Sequence, residues 1–391
     1  MAETADALII GAGVQGAALA FHLARRGLKP TVIEKASAGA GATGRSSGLV
    51  RMHYDVEPES RLAWASFRWF RDWPELVGGD CGFTRTGFLK FVAPEYRDEL
   101  AANVEMHRQI GIPSWVITAE DVRRLAPEFE VVDDDVVAFE SESGYADPTG
   151  TTQGFLAAAR RLGAHFVQGK AVSEITTEGG RVTGLRTDGE EYSSPLVVDA
   201  AGAWSGAIAR MVGVDIPLHV WRHDVAYIKR PAGSRSTHPT VIDDANAMYF
   251  RPEGRELTLV ALEDGNEIGD FSPDRETAST APGFADRVAD RLTKRMPMIA
   301  EGELTSRHSG QDGITPDQHA IIGPAGPDGF WLCCGFSGTG FKIAPAVGES
   351  LAELMCDGRN ATTVDLGPFA ADRFARGEEL VGEHAYEAIW R

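Results

Sequence analysis

Gly11, Gly13 and Gly16 stand in Gly-x-Gly-x-x-Gly spacing behind the apolar run Ala7-Leu8-Ile9-Ile10, and Glu34 closes the next apolar run, Thr31-Val32-Ile33. Residues of these types in this order can hold a dinucleotide. Gly11 permits a tight turn off a strand, Gly13 removes a Cβ so that backbone can approach a pyrophosphate, and Gly16 lets the following helix lie close on the sheet. Val14 and Gln15 open that helix, whose free N–H groups and dipole attract phosphate oxygens. A carboxylate at position 34 can accept hydrogen bonds from ribose hydroxyls. Strand, glycine turn, helix, strand and acid within about 30 residues form a far more specific signal than three glycines alone. The unit implies a dinucleotide and leaves NAD and FAD both open.

Other reactive patterns are weaker. Gly335-Phe-Ser-Gly-Thr339 has the outline of a nucleophile elbow, but that pattern requires glycine where Thr339 stands, which argues against a serine hydrolase. The ten histidines, His53, His308 and His319 among them, show no paired metal-ligand spacing, so no metal is expected. The four cysteines, Cys81, Cys333, Cys334 and Cys356, have neither metal spacing nor the density of a disulfide scaffold and read as reduced thiols.

Around the glycine unit, hydrophobic periodicity predicts helices over 59–77, 95–110, 119–125, 151–162 and 283–295, and another that runs through Met355. Strand signals fall at 83–93, 165–168, 172–186, 196–202, 225–229, 248–251, 257–262 and 330–334. A second α/β piece near Asp199 therefore lies far along the chain from the first, and strand-rich stretches separate them. The expected architecture is α/β, α+β overall: a discontinuous Rossmann-like nucleotide domain over 1–80, 145–212 and 303–391, with a sheet-rich substrate domain inserted as 81–144 and 213–302. The loop 36–48, rich in Gly, Ala and Ser, can wrap a cofactor or merely connect.

At 391 residues and 43% hydrophobic content the chain can build two or three domains with cores of their own. No run of about 18 apolar residues marks a membrane span, and a first strand beginning at residue 7 leaves no room for a leader, so a cytoplasmic location is expected. A formal charge of −19 argues against nucleic-acid and membrane partners. The acidic cluster Asp133 to Asp135 reads as solvated turn residues.

The order of motifs resembles the FAD-dependent amine and amino-acid oxidoreductases of the D-amino-acid-oxidase superfamily, on the sarcosine oxidase side that includes heteromeric β subunits and dimethylglycine dehydrogenase. The resemblance covers nearly the whole chain. Its carriers are the glycine unit with Glu34, Val198-Asp-Ala-Ala-Gly-Ala-Trp204, Tyr249-Phe-Arg-Pro252, Thr315-Pro-Asp317 and, most specific, Gly335-Phe-Ser-Gly-Thr-Gly-Phe-Lys342. It implies FAD rather than NAD, held by the glycine unit, by Lys35, Thr43, Gly44, Arg45, Ser46 and Ser47 of the early loop, by the backbone of Val172, by Ala201, Gly202 and Trp204, and by Gly310. Gly335 and the turn Gly338, Thr339, Gly340 and Lys342 would border the flavin's pyrimidine end. It implies that Arg51 and Lys342 bind a substrate carboxylate and that Tyr249 lines the substrate cavity. Arg222 and Arg251 could also face that cavity, although structural ion pairs are the favoured reading.

The reaction so implied is oxidation of the C–N bond of a small carboxylate-bearing amine, sarcosine-like or a free amino acid, with hydride passing to flavin N5 and electrons leaving to O2 or another acceptor. Two departures qualify it. Relatives that attach FAD covalently use a cysteine where Gly310 stands or a histidine where Arg45 stands, so FAD is expected to be non-covalent. The oxidase branch carries a lysine above the flavin where an ungapped reading from Tyr249-x-x-Pro252, adjusted by one residue, places Thr258, which leans towards a dehydrogenase or a sluggish oxidase. A second reading is a non-catalytic or weakly catalytic flavoprotein subunit, an assembly partner in a larger complex; a monomer, a homodimer and a heteromer all remain open.

Overall fold

The computed structural model describes residues 3–275 and 279–387. Ala7–Ile10 is fully buried and lies at the centre of a six-stranded sheet, in the order His165–Gln168, Pro30–Glu34, Ala7–Ile10, Val197–Asp199, Phe330–Cys334 and Ile321–Pro324. The first five strands run parallel and only the last is antiparallel. Burial on both faces explains why these strands read as continuous apolar runs rather than alternations.

Helix Val14–Arg25 leaves Gly13 and ends before Gly27, whose φ of +89° only glycine adopts freely. A Cβ on Gly16 would lie 2.1 Å from the Gly11 carbonyl oxygen, so glycine is required where helix meets strand. Helix Gly340–Asp357 packs on the same helix, and Gly348 makes this close: a Cβ there would come within 2.8 Å of the Ala18 backbone.

The second sheet turns one face to this unit. Its strands run Glu267–Gly269, His219–Lys229, Leu257–Leu262, Met248–Glu253, Thr240–Asp243, Phe88–Val92, Val136–Glu140 and Ser114–Ile117, and Glu303–Ile314 pairs along His219–Lys229. One face packs Phe250, Val260 and Leu262 under helix Phe284–Arg295. The other gathers Trp221, Ile242, Tyr249 and Leu259 against Leu49.

Several expectations are corrected here. The 59–77 helix is two, Glu57–Arg71 and Trp73–Leu76, because Pro74 cannot continue the first. The long strand Glu303–Ile314 is absent from the sequence reading: its first half is exposed and polar and Gly310 and Gly313 interrupt it, so it lacks an apolar alternation. Asp135 is not a solvated turn residue: with Asp243 it pairs to the buried Arg295 guanidinium at 2.8 Å from each.

Another buried pair ties the last described segment to the first sheet. Arg373 meets both oxygens of Asp317 at 2.8 and 2.9 Å and donates to the His319 carbonyl oxygen. Asp317→Asn strands a buried cation, which costs about 3–5 kcal/mol. Denaturant unfolding is expected to show a loss of that size; a loss below about 1 kcal/mol would mean that water compensates the cation.

Candidate functional site

The glycine turn opens on a cavity of about 1040 Å³, at the upper end of the range for small-molecule sites. Gly11, Gly13, Val14, Gln15, Glu34 and Lys35 line it, and so do Thr43, Arg45, Ser46 and Ser47 of the early loop. Val172, Ala201, Gly202, Trp204, Gly310, Gly338, Thr339 and Gly340 complete the expected cofactor residues on its wall. Gly16, Gly44 and Gly335 are not on the wall. Gly16 and Gly44 instead let backbone pass close, as where a Cβ on Gly44 would sit 2.5 Å from the Gly39 carbonyl oxygen, and Gly335 leaves room for the Thr315 side chain, 2.7 Å from where its Cβ would stand.

The local bonds show what holds the wall in place. Thr43 Oγ1 accepts the Val14 N–H at 3.1 Å, fixing the early loop to the helix start. Gln15 Nε2 donates to the Gly340 carbonyl oxygen at 2.8 Å, joining the starts of two helices. Glu34 accepts N–H groups of Ala12 and Ala36 at 2.9 and 2.8 Å, which leaves each carboxylate oxygen a further lone pair. Lys35 lies 3.9 Å over the Trp204 ring, and both reach Asp274, by a 2.6 Å ion pair and a 2.9 Å indole hydrogen bond.

Arg51, Tyr249 and Lys342 line the same cavity. Both cations are buried, and both converge on the Tyr54 ring: the Arg51 guanidinium 4.2 Å and the Lys342 ammonium 5.7 Å from its centroid. Burial first, then the Arg51 charge, push the Lys342 ammonium well below its ordinary range, against the opposing carboxylates of Glu59 and Asp312. Tyr249 shares a 3.0 Å hydrogen bond with His223 Nε2, and burial raises its phenol.

His223 also lines the cavity, and burial pushes its imidazole down to about 4, so it is neutral near pH 7. Sequence reasoning missed it, although the alternation Trp221, His223, Val225 in one strand carried the signal. Asp312 was missed too. Its carboxylate accepts the Gly338 N–H at 2.9 Å, and Thr339 N–H bonds the Phe336 carbonyl oxygen, so these two donors of the glycine turn are occupied within the chain.

Thr258 is a second correction. Tyr249 pairs with Ala261, so Leu259 and Ala261 share the Tyr249 face while Thr258 points through the sheet to His238 and Arg230. Arg251 and Arg222 likewise lie off the cavity wall, in ion pairs with Glu253 and Asp224. Ser337 donates to the Gly335 carbonyl oxygen and accepts the Thr315 N–H, an internal turn role rather than that of a nucleophile.

Residues 6–354 match the family model "FAD dependent oxidoreductase", and the chain belongs to this D-amino-acid-oxidase family. Human mitochondrial sarcosine dehydrogenase is 28% identical over 378 residues, covering 91% of this chain and 40% of that protein, so the chain spans about two fifths of that relative's length. Monomeric sarcosine oxidase of Streptomyces avermitilis is 27% identical over 391 residues, 94% of this chain and 97% of that one. Among solved structures, L-proline dehydrogenase from P. horikoshii superposes with a TM-score of 0.90 at 26% identity, covering 97% of this chain and all of that one. No helix among the described residues is long and apolar enough to cross a membrane.

The wall fits FAD. A Cβ on Gly13, the N-cap of a twelve-residue helix, would meet only Thr43 Oγ1, at 3.3 Å, so the space before the helix start is open to a phosphate.

Proposed function

We propose that the chain oxidises the C–N bond of a small amine bearing a carboxylate, either a sarcosine-like secondary amine or a free amino acid. The observation that carries this reading is the pair of buried cations, Arg51 and Lys342, on the cavity that the dinucleotide unit opens into. Two like charges buried together repel, and an anion between them relieves the repulsion. A guanidinium fork with an ammonium point charge suits a carboxylate.

The glycine turn, Glu34, the early loop and Val172 would hold FAD, which when bound supplies the hydride acceptor. The chain's residues supply placement. Arg51 and Lys342 fix the carboxylate, and their field favours the unprotonated amine, whose lone pair assists loss of hydride from the adjoining carbon. Trp221, Ile242 and Tyr249 bound the cavity with largely apolar surface that excludes water, and no acid–base side chain is needed. We assign the cofactor to residues 1–80, 145–212 and 303–391 and the substrate face to 81–144 and 213–302, with strand Glu303–Ile314 joining them. Electrons then pass to O2 or another acceptor; Leu259 and Ala261, which share the Tyr249 face, bring no cation to promote reaction with O2.

Anaerobic mixing with a panel of N-methyl and free amino acids tests this: bleaching of the flavin by at least one is expected, and bleaching by none defeats the reading. We also infer that FAD is bound without a covalent link. A Cβ on Gly310 would lie 3.0 Å from the Arg45 Cβ, so the two positions that could supply a thiol or an imidazole share one patch of wall and offer neither. Acid precipitation is expected to leave all flavin in the supernatant; a yellow pellet would reveal a link elsewhere.

A further inference from the structure

We propose a divalent transition-metal site of the zinc type, built by His53, His107 and Glu140. The three come from separate elements: the extended segment that follows Arg51, helix Arg97–Ile110 and the end of strand Val136–Glu140. All are fully buried, and one ligand atom of each lies within 4.8 Å of the other two. Their rings and carboxylate are outside the wall of the cofactor cavity, and this proposal does not depend on the reaction proposed above.

The atoms that are already engaged define the ones that remain. His107 Nε2 lies 2.7 Å from the Tyr54 carbonyl oxygen and 3.3 Å from the Tyr54 N–H; the shorter contact, to an atom that only accepts, favours the proton on Nε2 and a lone pair on Nδ1. His53 Nε2 is 3.0 Å from the Tyr386 hydroxyl. Glu140 Oε2 accepts the Met52 N–H at 3.0 Å and the Ser143 hydroxyl at 2.6 Å. His53 Nδ1, His107 Nδ1 and Glu140 Oε1 are left buried with no hydrogen-bond partner among the described residues.

Three orphaned polar atoms in one cluster are costly, at about 1–3 kcal/mol each. A single cation would satisfy all of them. Two imidazoles with one carboxylate are the ligand set of zinc and its first-row neighbours, not of calcium or magnesium. The engaged atoms form the outer shell such sites use, with a carbonyl, a hydroxyl and an N–H orienting each ligand. Arg51 and Lys90 bear on His53 with positive charge, partly offset because Lys90 is held by Asp244 at 2.5 Å. Glu140 supplies the anionic ligand.

The test uses the untagged flavoprotein, stripped with a chelator and titrated with Zn2+ and Co2+. One equivalent per chain is expected, with a Co2+ absorption band to the red of the flavin and a thermal midpoint that rises with either metal. His107→Gln and Glu140→Gln are expected to weaken uptake by at least about tenfold and to lose the thermal response. A wild-type chain that takes up less than a tenth of an equivalent overturns the proposal, and a trapped water would give that outcome. Equal uptake by the wild type and a folded variant also overturns it, since the metal would then sit elsewhere. If neither variant folds, the wild-type titration decides alone.

Discussion

Replacing Arg51 by alanine is expected to raise the KM for the amine substrate about thirty-fold to several-thousand-fold while the flavin content stays near that of the wild type. Truncating a buried, charge-paired group costs about 2–5 kcal/mol, and the range follows from that figure. The effect falls on KM because a carboxylate remote from the reacting carbon is held equally before and during the reaction. Lys342→Met removes the other half of the clamp. Its penalty will not add simply to that of Arg51, since the Arg51 charge depresses the Lys342 ammonium and both side chains crowd Tyr54. In the wild type, carboxylate binding is strong while Lys342 is protonated and weakens as pH rises through its lowered pKa; Arg51, Glu59 and Asp312 are the charges that set that point. Steady-state kinetics and flavin absorbance check both variants, and an unchanged KM in each would remove the carboxylate assignment.

Gly11→Ala is expected to yield protein with less than a tenth of the normal flavin. The residue has φ +103°, and a Cβ would stand 2.6 Å from the backbone carbonyl oxygen of Ala200, which directly follows the neighbouring strand Val197–Asp199. Backbone strain of about 1–3 kcal/mol adds to that clash. The turn must then move away from the mouth of helix Val14–Arg25, where the phosphates are expected. A flavin-to-protein ratio within twofold of the wild type, with an unchanged melting temperature, would show that the turn is not the clamp.

What the sequence made legible was local. The glycine unit, its helix and Glu34 are consecutive, so spacing alone specifies their geometry. Arg51 and Lys342 became readable only through the family resemblance, because nothing in either neighbourhood announces the other. His223 was overlooked among strand residues, and the group of His53, His107 and Glu140 has no spacing to detect, since three remote elements bring it together. Thr258 shows the opposite failure: a one-residue error in strand phase carries a side chain through the sheet. Strand Glu303–Ile314 was illegible because its pairing comes from His219–Lys229 and not from its own composition.

The close fit of Gly348 against Ala18 has a bearing on how such an enzyme can diversify. One helix begins at the dinucleotide turn and the other carries Lys342, so their contact works as a gauge that fixes the reach from cofactor anchor to carboxylate. The nine-stranded sheet can then exchange side chains such as Trp221 or Ile242, changing which amines fit, without altering that reach. A bulkier residue at position 348 would detune every substrate at once, whereas a change on the sheet would reorder preferences among them.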